Sequence, residues 1–438
     1  MLGGGTFIAQ NKVLPGSYIN FVSASSTNVN LGERGYAAIA LPLKWGKDDG
    51  IFEVTSSDFR KNTVKLFGFT YDSDDAKGLR DLFKNIKTLY CYKLMVNGAK
   101  ALNSMAEALY KGSAGLKIAT EIVANTDNTF QANIYFNGTL VYEKKVAALT
   151  DLTSDDNGFV VWTLSTLQAY TIELMAAPTE TIDEEEVPIN LDGDPVTATE
   201  HSAFLDAAEA YTFNAMGCLS EESAIKDLYV QECKDMRDDH GVKYQLVVYE
   251  KAADFEGVVN VKNSVDAVWW TTGVIAGTAV NASCTNKKYD GEFSFNTNYT
   301  KAELENALAT GQFVFHNVNG EVRVLSDINS LTTFSDTKGR DFQANQTIRV
   351  IDQIAMDIAK VFNTYYLGIV QNDTAGRLSF WNEVVKHHQT LESMRAIENF
   401  NPDDVVVERG DTKKDVVVYD AIEVVNAMEK LYMSVVVA

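Results

Sequence analysis

The stretch that most constrains this chain is its end. Val416, Val417, Val418, Tyr419, Ala421 and Ile422 form a β-branched and aromatic run, the composition that fits a pleated, half-buried strand. A polar break at 426–430 follows, and then a second run, Leu431, Tyr432, Met433, Ser434, Val435, Val436 and Val437. In extended conformation Leu431, Met433, Val435 and Val437 share one face, and Tyr432, Ser434 and Val436 share the other. No polar tail comes after them. A bare apolar strand invites aggregation, so proteins cover or blunt it. Two placements would cover this one: pairing inside its own domain, or addition to a sheet of another subunit. Pattern alone leaves both open.

The chain is long enough to need more than one hydrophobic core. Its 38 Lys and Arg stand against 60 Asp and Glu, for a net charge of -22. That balance argues against nucleic acid, whose affinity rests on basic contacts, and against an anionic membrane. It also means that copies packed together must overcome mutual repulsion. The opening Met1-Leu2-Gly3-Gly4-Gly5 has no basic region followed by an apolar core, so no signal peptide is expected. No apolar run reaches transmembrane length, so no direct membrane insertion is expected. Cys91, Cys218, Cys233 and Cys284 are widely spaced without a C-x-x-C pair, as suits reduced, mostly buried thiols in a protein made in the cytosol.

Taken in order, residues 1–34 read as an arm and linker. Tyr18, Ile19, Asn20, Phe21 and Val22 form its strand, and 23–30 is small and polar. Residues 35–96 read as an α/β piece, with a strand from Tyr36 and an amphipathic helix carrying Leu79, Leu82, Phe83 and Ile86 on one face. Residues 97–177 turn to β, with alternation at Phe130, Ala132, Ile134 and Phe136 and a hairpin signal at Asn137-Gly138. Pro178, Pro188 and Pro195 flank the acidic run Asp183-Glu184-Glu185-Glu186, which reads as a solvated linker. Residues 178–335 alternate helix and strand, as a largely parallel α/β domain does. They include a capping box at Thr300 and Glu303 and a second hairpin turn at Asn319-Gly320. Residues 336–438 hold two amphipathic helices followed by strands. The fold class is therefore α/β and α+β multidomain, with a small inserted β domain and terminal strand arms.

Catalytic, cofactor-binding and metal residues are expected to be none. There is no G-x-S-x-G elbow, Walker A loop or G-x-G-x-x-G. His201, His240, His316, His387 and His388 lack H-E-x-x-H or C-x-x-C company. His387 and His388 are neighbours on a helix and diverge by about 100°, so one is expected to pack and the other to be solvated. Asp72-Ser73-Asp74-Asp75 begins like a calcium loop, but Lys77 stands where that loop needs glycine, leaving an acidic helix N-terminus. Arg409-Gly410-Asp411 reads as a turn between strands. Trp269-Trp270 reads as packing within a helix over 266–280.

Several short stretches, in order and spacing, resemble the tail sheath proteins of contractile phage tails and R-type bacteriocins of Gram-positive bacteria. They are Pro15-Gly16-Ser17-Tyr18-Ile19-Asn20-Phe21, Glu33-Arg34-Gly35-Tyr36 through Leu41-Pro42 with Trp45-Gly46, Arg323-Val324-Leu325-Ser326-Asp327, Val418-Tyr419-Asp420-Ala421-Ile422, and Ala427-Met428-Glu429-Lys430-Leu431-Tyr432-Met433. The resemblance implies a central subtilisin-like α/β domain, here without a catalytic triad, and a mechanical role without enzymatic activity. It implies rings or a helix of copies around an inner tail tube protein, ending at baseplate and tail terminator proteins, in a virion tail or bacteriocin particle. It implies that the arms at 18–22 and 431–437 add strands to neighbouring subunits, with Val416, Val417, Val418, Tyr419, Ala421 and Ile422 as acceptor. The alternative is a monomeric surface or secreted binding module whose β insert holds a ligand and whose last strand pairs internally.

Overall fold

A computed structural model describes residues 3–5, 16–18, 31–95, 97–182 and 184–437. The chain divides into two compact units, 1–32 with 357–423, and 33–356 with 424–438.

The larger unit is built on a seven-stranded sheet. Its order is Gln312–Phe313, Val258–Val261, Gln245–Tyr249, Ala215–Cys218, Tyr36–Leu41, Thr88–Lys93, Ile51–Thr55. All neighbours run parallel except the last pair. Both faces are covered, which is why these strands are almost continuously apolar. Ala37, Ile39 and Val247 point into a core with Phe59, Leu79, Leu82, Val268 and Trp270. Ala38, Ala40, Leu246 and Val248 point the other way, to Phe204, Leu205, Tyr229 and Cys233. The stretches expected as separate pieces, 35–96 and 178–335, thus supply strands to one sheet. Neither could bury both faces of its strands alone.

Between those strands lies the β insert, a four-stranded sheet in the order Tyr170–Leu174, Ile118–Ala124, Phe130–Phe136, Thr139–Val146. Its hairpin turns at Asn137 (φ 48°) and Gly138 (φ 74°), the pair of positive angles a two-residue type I′ turn requires. Its core of Ile118, Ile134, Phe136 and Trp162 also takes Trp45 and Leu191 from outside the expected limits. In the acidic segment, Thr179–Ile182 pairs with Glu185–Pro188 as an exposed hairpin. The helix Ala267–Gly277 packs closely enough on 85 that a Cβ on Gly277 would stand 1.7 Å from the Asn85 carbonyl. In the helix Ser223–Asp238, Glu222 occupies the cap position and no acid falls in the first turn.

The helix Asn345–Val361 carries an unusual load of buried polar side chains in its first turns. Asn345 accepts from Gln245 Nε2 at 2.7 Å and donates to Asp327 at 3.0 Å. Arg349 also bonds Asp327. Asp352 receives both terminal nitrogens of Arg237 at 2.7 Å. These bonds draw the first part of the helix into the larger unit, so the division falls at Asp357 and not near 336. Burial pushes the Asp327 carboxyl up, but the Arg349 guanidinium and bonds from Cys284 outweigh it, and the carboxyl sits below its ordinary value.

In the smaller unit the helix runs on to Val361, a π turn spans Phe362–Tyr366, and a second helix covers Thr374–Ser393. Asp373 caps that helix, accepting from the Gly376 amide at 2.8 Å. A hairpin of Val406–Arg409 and Val416–Tyr419 follows, with Val407, Val416 and Val418 against Phe380, Val384 and Val385. Arg409-Gly410-Asp411 opens its turn, closed by the Gly410 amide on the Asp415 carbonyl at 2.9 Å.

Two predictions follow from the polar helix. Arg237→Ala should cost about 3–5 kcal/mol, because it strands the Asp352 charge in the interior. The double change Arg237→Met with Asp352→Leu should recover most of that loss, read from urea unfolding midpoints. A carboxyl depressed in the folded state stabilises above its unfolded pKa, and that contribution is lost as pH falls through the folded value. Asp327→Asn should therefore flatten the acid side of the stability profile of the larger unit.

Candidate assembly site at the chain ends

The C-terminal run begins from a fixed point. Gln346 Nε2 donates to the Val425 carbonyl and Gln346 Oε1 accepts from the Ala427 amide, both at 3.0 Å. Asn426 donates to Thr347 Oγ1 at 3.0 Å. Glu429 accepts from the hydroxyls of Thr285 at 2.6 Å and Ser326 at 3.2 Å. The 426–430 segment, polar in sequence and readable as a hinge, is thus tied down over most of its length. No sequence signal marks this, because Gln346, Thr347, Thr285 and Ser326 are remote in the chain.

Beyond it no hydrogen bond holds the run among the described residues. Residues 431–437 belong to no helix or strand, and every one of them is exposed. Leu431 is 85% exposed, Tyr432 89%, and Val436 and Val437 90% each. The run that was expected to be buried therefore has no cover among the described residues. The energetics explain why it does not fold back alone. Burying Leu431, Met433, Val435 and Val437 would return about 1.5–3 kcal/mol each. Ordering seven residues costs about 1–2 kcal/mol apiece. The two totals are of the same size, so side-chain burial alone does not order the segment.

The expected acceptor is a strand only in part. Val416–Tyr419 pairs antiparallel with Val406–Arg409, in the register Val406↔Tyr419, Val407↔Val418, Glu408↔Val417, Arg409↔Val416. Ala421 and Ile422 lie outside any strand, because Asp420 turns its side chain inward to His388 at 2.7 Å. The inner face of the hairpin rests on the helix Thr374–Ser393, where Trp381 Nε1 donates to the Val405 carbonyl at 2.8 Å. Val406, Val417 and Tyr419 are exposed. No third strand joins this pair among the described residues, so its outer edges offer unpaired backbone groups.

At the other end, Gly16–Tyr18 pairs in parallel with Gly3–Gly5. The arm residues Ile19, Asn20, Phe21 and Val22 lie outside the described residues, and Tyr18 is described only as backbone.

The remaining sequence candidates are placed as follows. His201 bonds the Tyr229 hydroxyl at 2.8 Å in the core. Trp270 is buried and donates to Asp290 at 2.7 Å, while Trp269 is half-buried. All four cysteines are buried and free. His387 and His388 are both fully buried, which corrects the expectation that one would be solvated: each ring meets a carboxylate from a distant part of the chain. Among the described residues no group of three or more His, Cys, Asp and Glu side chains is placed to hold a metal ion.

Comparison with known proteins identifies the family of this fold. The phage tail sheath protein central domain matches residues 194–330, and the phage tail sheath C-terminal domain matches residues 337–438. The Phage-like element PBSX protein XkdK of Bacillus subtilis is 27% identical over 99% of both chains. The crystal structure of a sheath tail protein from Desulfitobacterium hafniense superposes with a TM-score of 0.78 at 28% identity, covering 95% of this chain and 99% of that one. The anti-feeding prophage helical sheath in its contracted state shares the fold alone, with a TM-score of 0.56 at 12% identity over 97% and 99% of the two chains. With two sheath domains matched in order over more than half its length, this chain belongs to the contractile tail sheath family and is a sheath structural subunit.

Proposed function

We propose that this subunit polymerises around an inner tail tube by lending its terminal strands to neighbouring copies, and that contraction of the polymer drives the tube through a target cell envelope. The observation that carries the reading is the apolar run 431–437, anchored at Glu429 and exposed beyond it. A strand lent head-to-tail makes a heterologous contact, which yields stacked or helical assemblies and not closed dimers. The acceptor is the hairpin edge at Val416, Val417, Val418 and Tyr419, whose inner face is already packed and whose outer edge is open. The arm at Tyr18, Ile19, Asn20, Phe21 and Val22 is lent in the same way. The seven-stranded sheet is the subtilisin-like layer of the family, kept as fold without activity, so the role is mechanical and not enzymatic. Partners are other copies of the chain, the tube protein, and baseplate and tail terminator proteins, within a virion tail or bacteriocin particle. The extended polymer is a metastable state, and contraction releases the difference stored behind its barrier. The donated ladders keep the copies connected while the bodies move.

Removing residues 430–438 should leave the thermal unfolding midpoint of the unassembled chain nearly unchanged, because no side chain from 431 to 437 is buried. The same truncation, or removal of residues 1–22, should abolish polymers in sedimentation. Normal polymers from both truncated chains would rule out strand exchange.

A further inference from the structure

The buried histidine pair joins two remote ends of the smaller unit. His387 Nε2 lies 3.0 Å from Asp357 Oδ2, His388 Nε2 lies 2.7 Å from Asp420 Oδ2, and the two Nδ1 atoms face each other at 3.4 Å. Both imidazoles are fully buried; the Asp357 side chain is 6% exposed and that of Asp420 is 24% exposed. The Phe400 ring covers His388 with centroids 5.2 Å apart. Asp357 also accepts from the Gly32 amide, at 3.1 and 3.3 Å. Gly32 lies near the end of the N-terminal arm and linker and closes the first segment of this unit, and Asp420 directly follows the strand Val416–Tyr419. One continuous line, Gly32 to Asp357 to His387 to His388 to Asp420, therefore fastens the places where both ends of the chain leave this unit.

Counting protons decides the state of that line. Asp357···His387, His387···His388 and His388···Asp420 are three hydrogen bonds, and each needs one proton. Two neutral imidazoles hold one proton each, so two are supplied and three are needed. Without the third, both Nδ1 lone pairs face each other in a dry site, where unsatisfied polar atoms are costly. With a fourth, two N–H groups face each other. We propose that Asp357, His387, His388 and Asp420 form a clasp that shares one extra proton and holds Gly32 and the end of the strand Val416–Tyr419 together only in that state. The surrounding charges agree with an added proton. Glu383 lies one turn before His387, and Glu392 one turn after His388 accepts from the Phe400 amide at 3.0 Å. Glu423 is engaged by Asn399. Lys386 and Lys360, the lysines nearest on the two helices, are exposed.

The sign of the pH effect follows. A solvated imidazole ordinarily takes up its second ring proton near pH about 6.5. Below that pH the open form binds two protons and the closed form one, so closure weakens as pH falls. Above it the open form binds none and the closed form one, so closure weakens as pH rises. Closure is therefore strongest near pH about 6.5 and changes about tenfold per pH unit on either flank.

The test is amide hydrogen exchange with mass spectrometry on the unassembled full-length chain from pH 5 to 8, corrected for intrinsic exchange. Peptides carrying Gly32 and residues 416–424 should show a protection maximum near pH 6.5 with those flanks, while peptides from the helix Ala267–Gly277 stay level. Flat or one-sided protection at both sites would overturn the clasp. Imidazole nitrogen spectra of the histidine-labelled chain supply a second reading that needs no change at the pair. His201, His240 and His316 are assigned by single substitution to Gln. Three of the four ring nitrogens of the pair should be protonated at the maximum; two of four would overturn the proposal. Neither measurement requires polymers, so failure here is separate from failure of strand exchange.

Discussion

An apolar segment left without cover among the described residues is the constraint on this subunit. Residues 431–437 are anchored at Glu429 and exposed beyond it, and the energy of covering so short a run roughly equals the cost of ordering it. Such a segment gains stability on a surface that supplies backbone partners as well as apolar cover. A two-stranded hairpin with a packed inner face and open outer edges is that kind of surface, and each chain carries both. The self-repulsion implied by a charge of -22 must be met by contacts of this strength and directionality.

The body of the subunit is organised to present these parts without depending on them. The parallel sheet is buried on both faces and supports the β insert between its strands. The polar first turns of Asn345–Val361 dock by way of Asp327 and Arg237, which fixes Gln346 and so the start of the C-terminal run. A bidentate buried ion pair adds little net stability compared with apolar packing, but it is intolerant of misplacement. It is therefore suited to fixing register at the point where the larger unit passes into the smaller one.

Local features were legible in the sequence. Asn137-Gly138 and Asn319-Gly320 announced their turns because few other dipeptides accept two positive φ angles. Thr300 with Glu303 announced a helix start, and the alternation of helix and strand announced a largely parallel sheet. Long-range pairing was not legible. Tyr36–Leu41 joins Ala215–Cys218 across the whole β insert, and nothing local to either strand names the other. The histidine pair was misjudged for a related reason. Helical geometry separates neighbouring side chains, but it says nothing about Asp357 and Asp420 arriving from elsewhere to bury both. The apolar end was legible as a run in need of cover, and none of the described residues supplies it.

The account rests on where residues 431–437 lie once subunits assemble. A helical reconstruction of polymers grown from the purified chain, resolved well enough to trace the backbone, answers that directly. The predicted result is the run 431–437 laid as a strand along the Val416–Tyr419 hairpin of an adjacent copy, with the connection crossing between subunits. A run folded back onto its own chain, in polymers that form all the same, would contradict it.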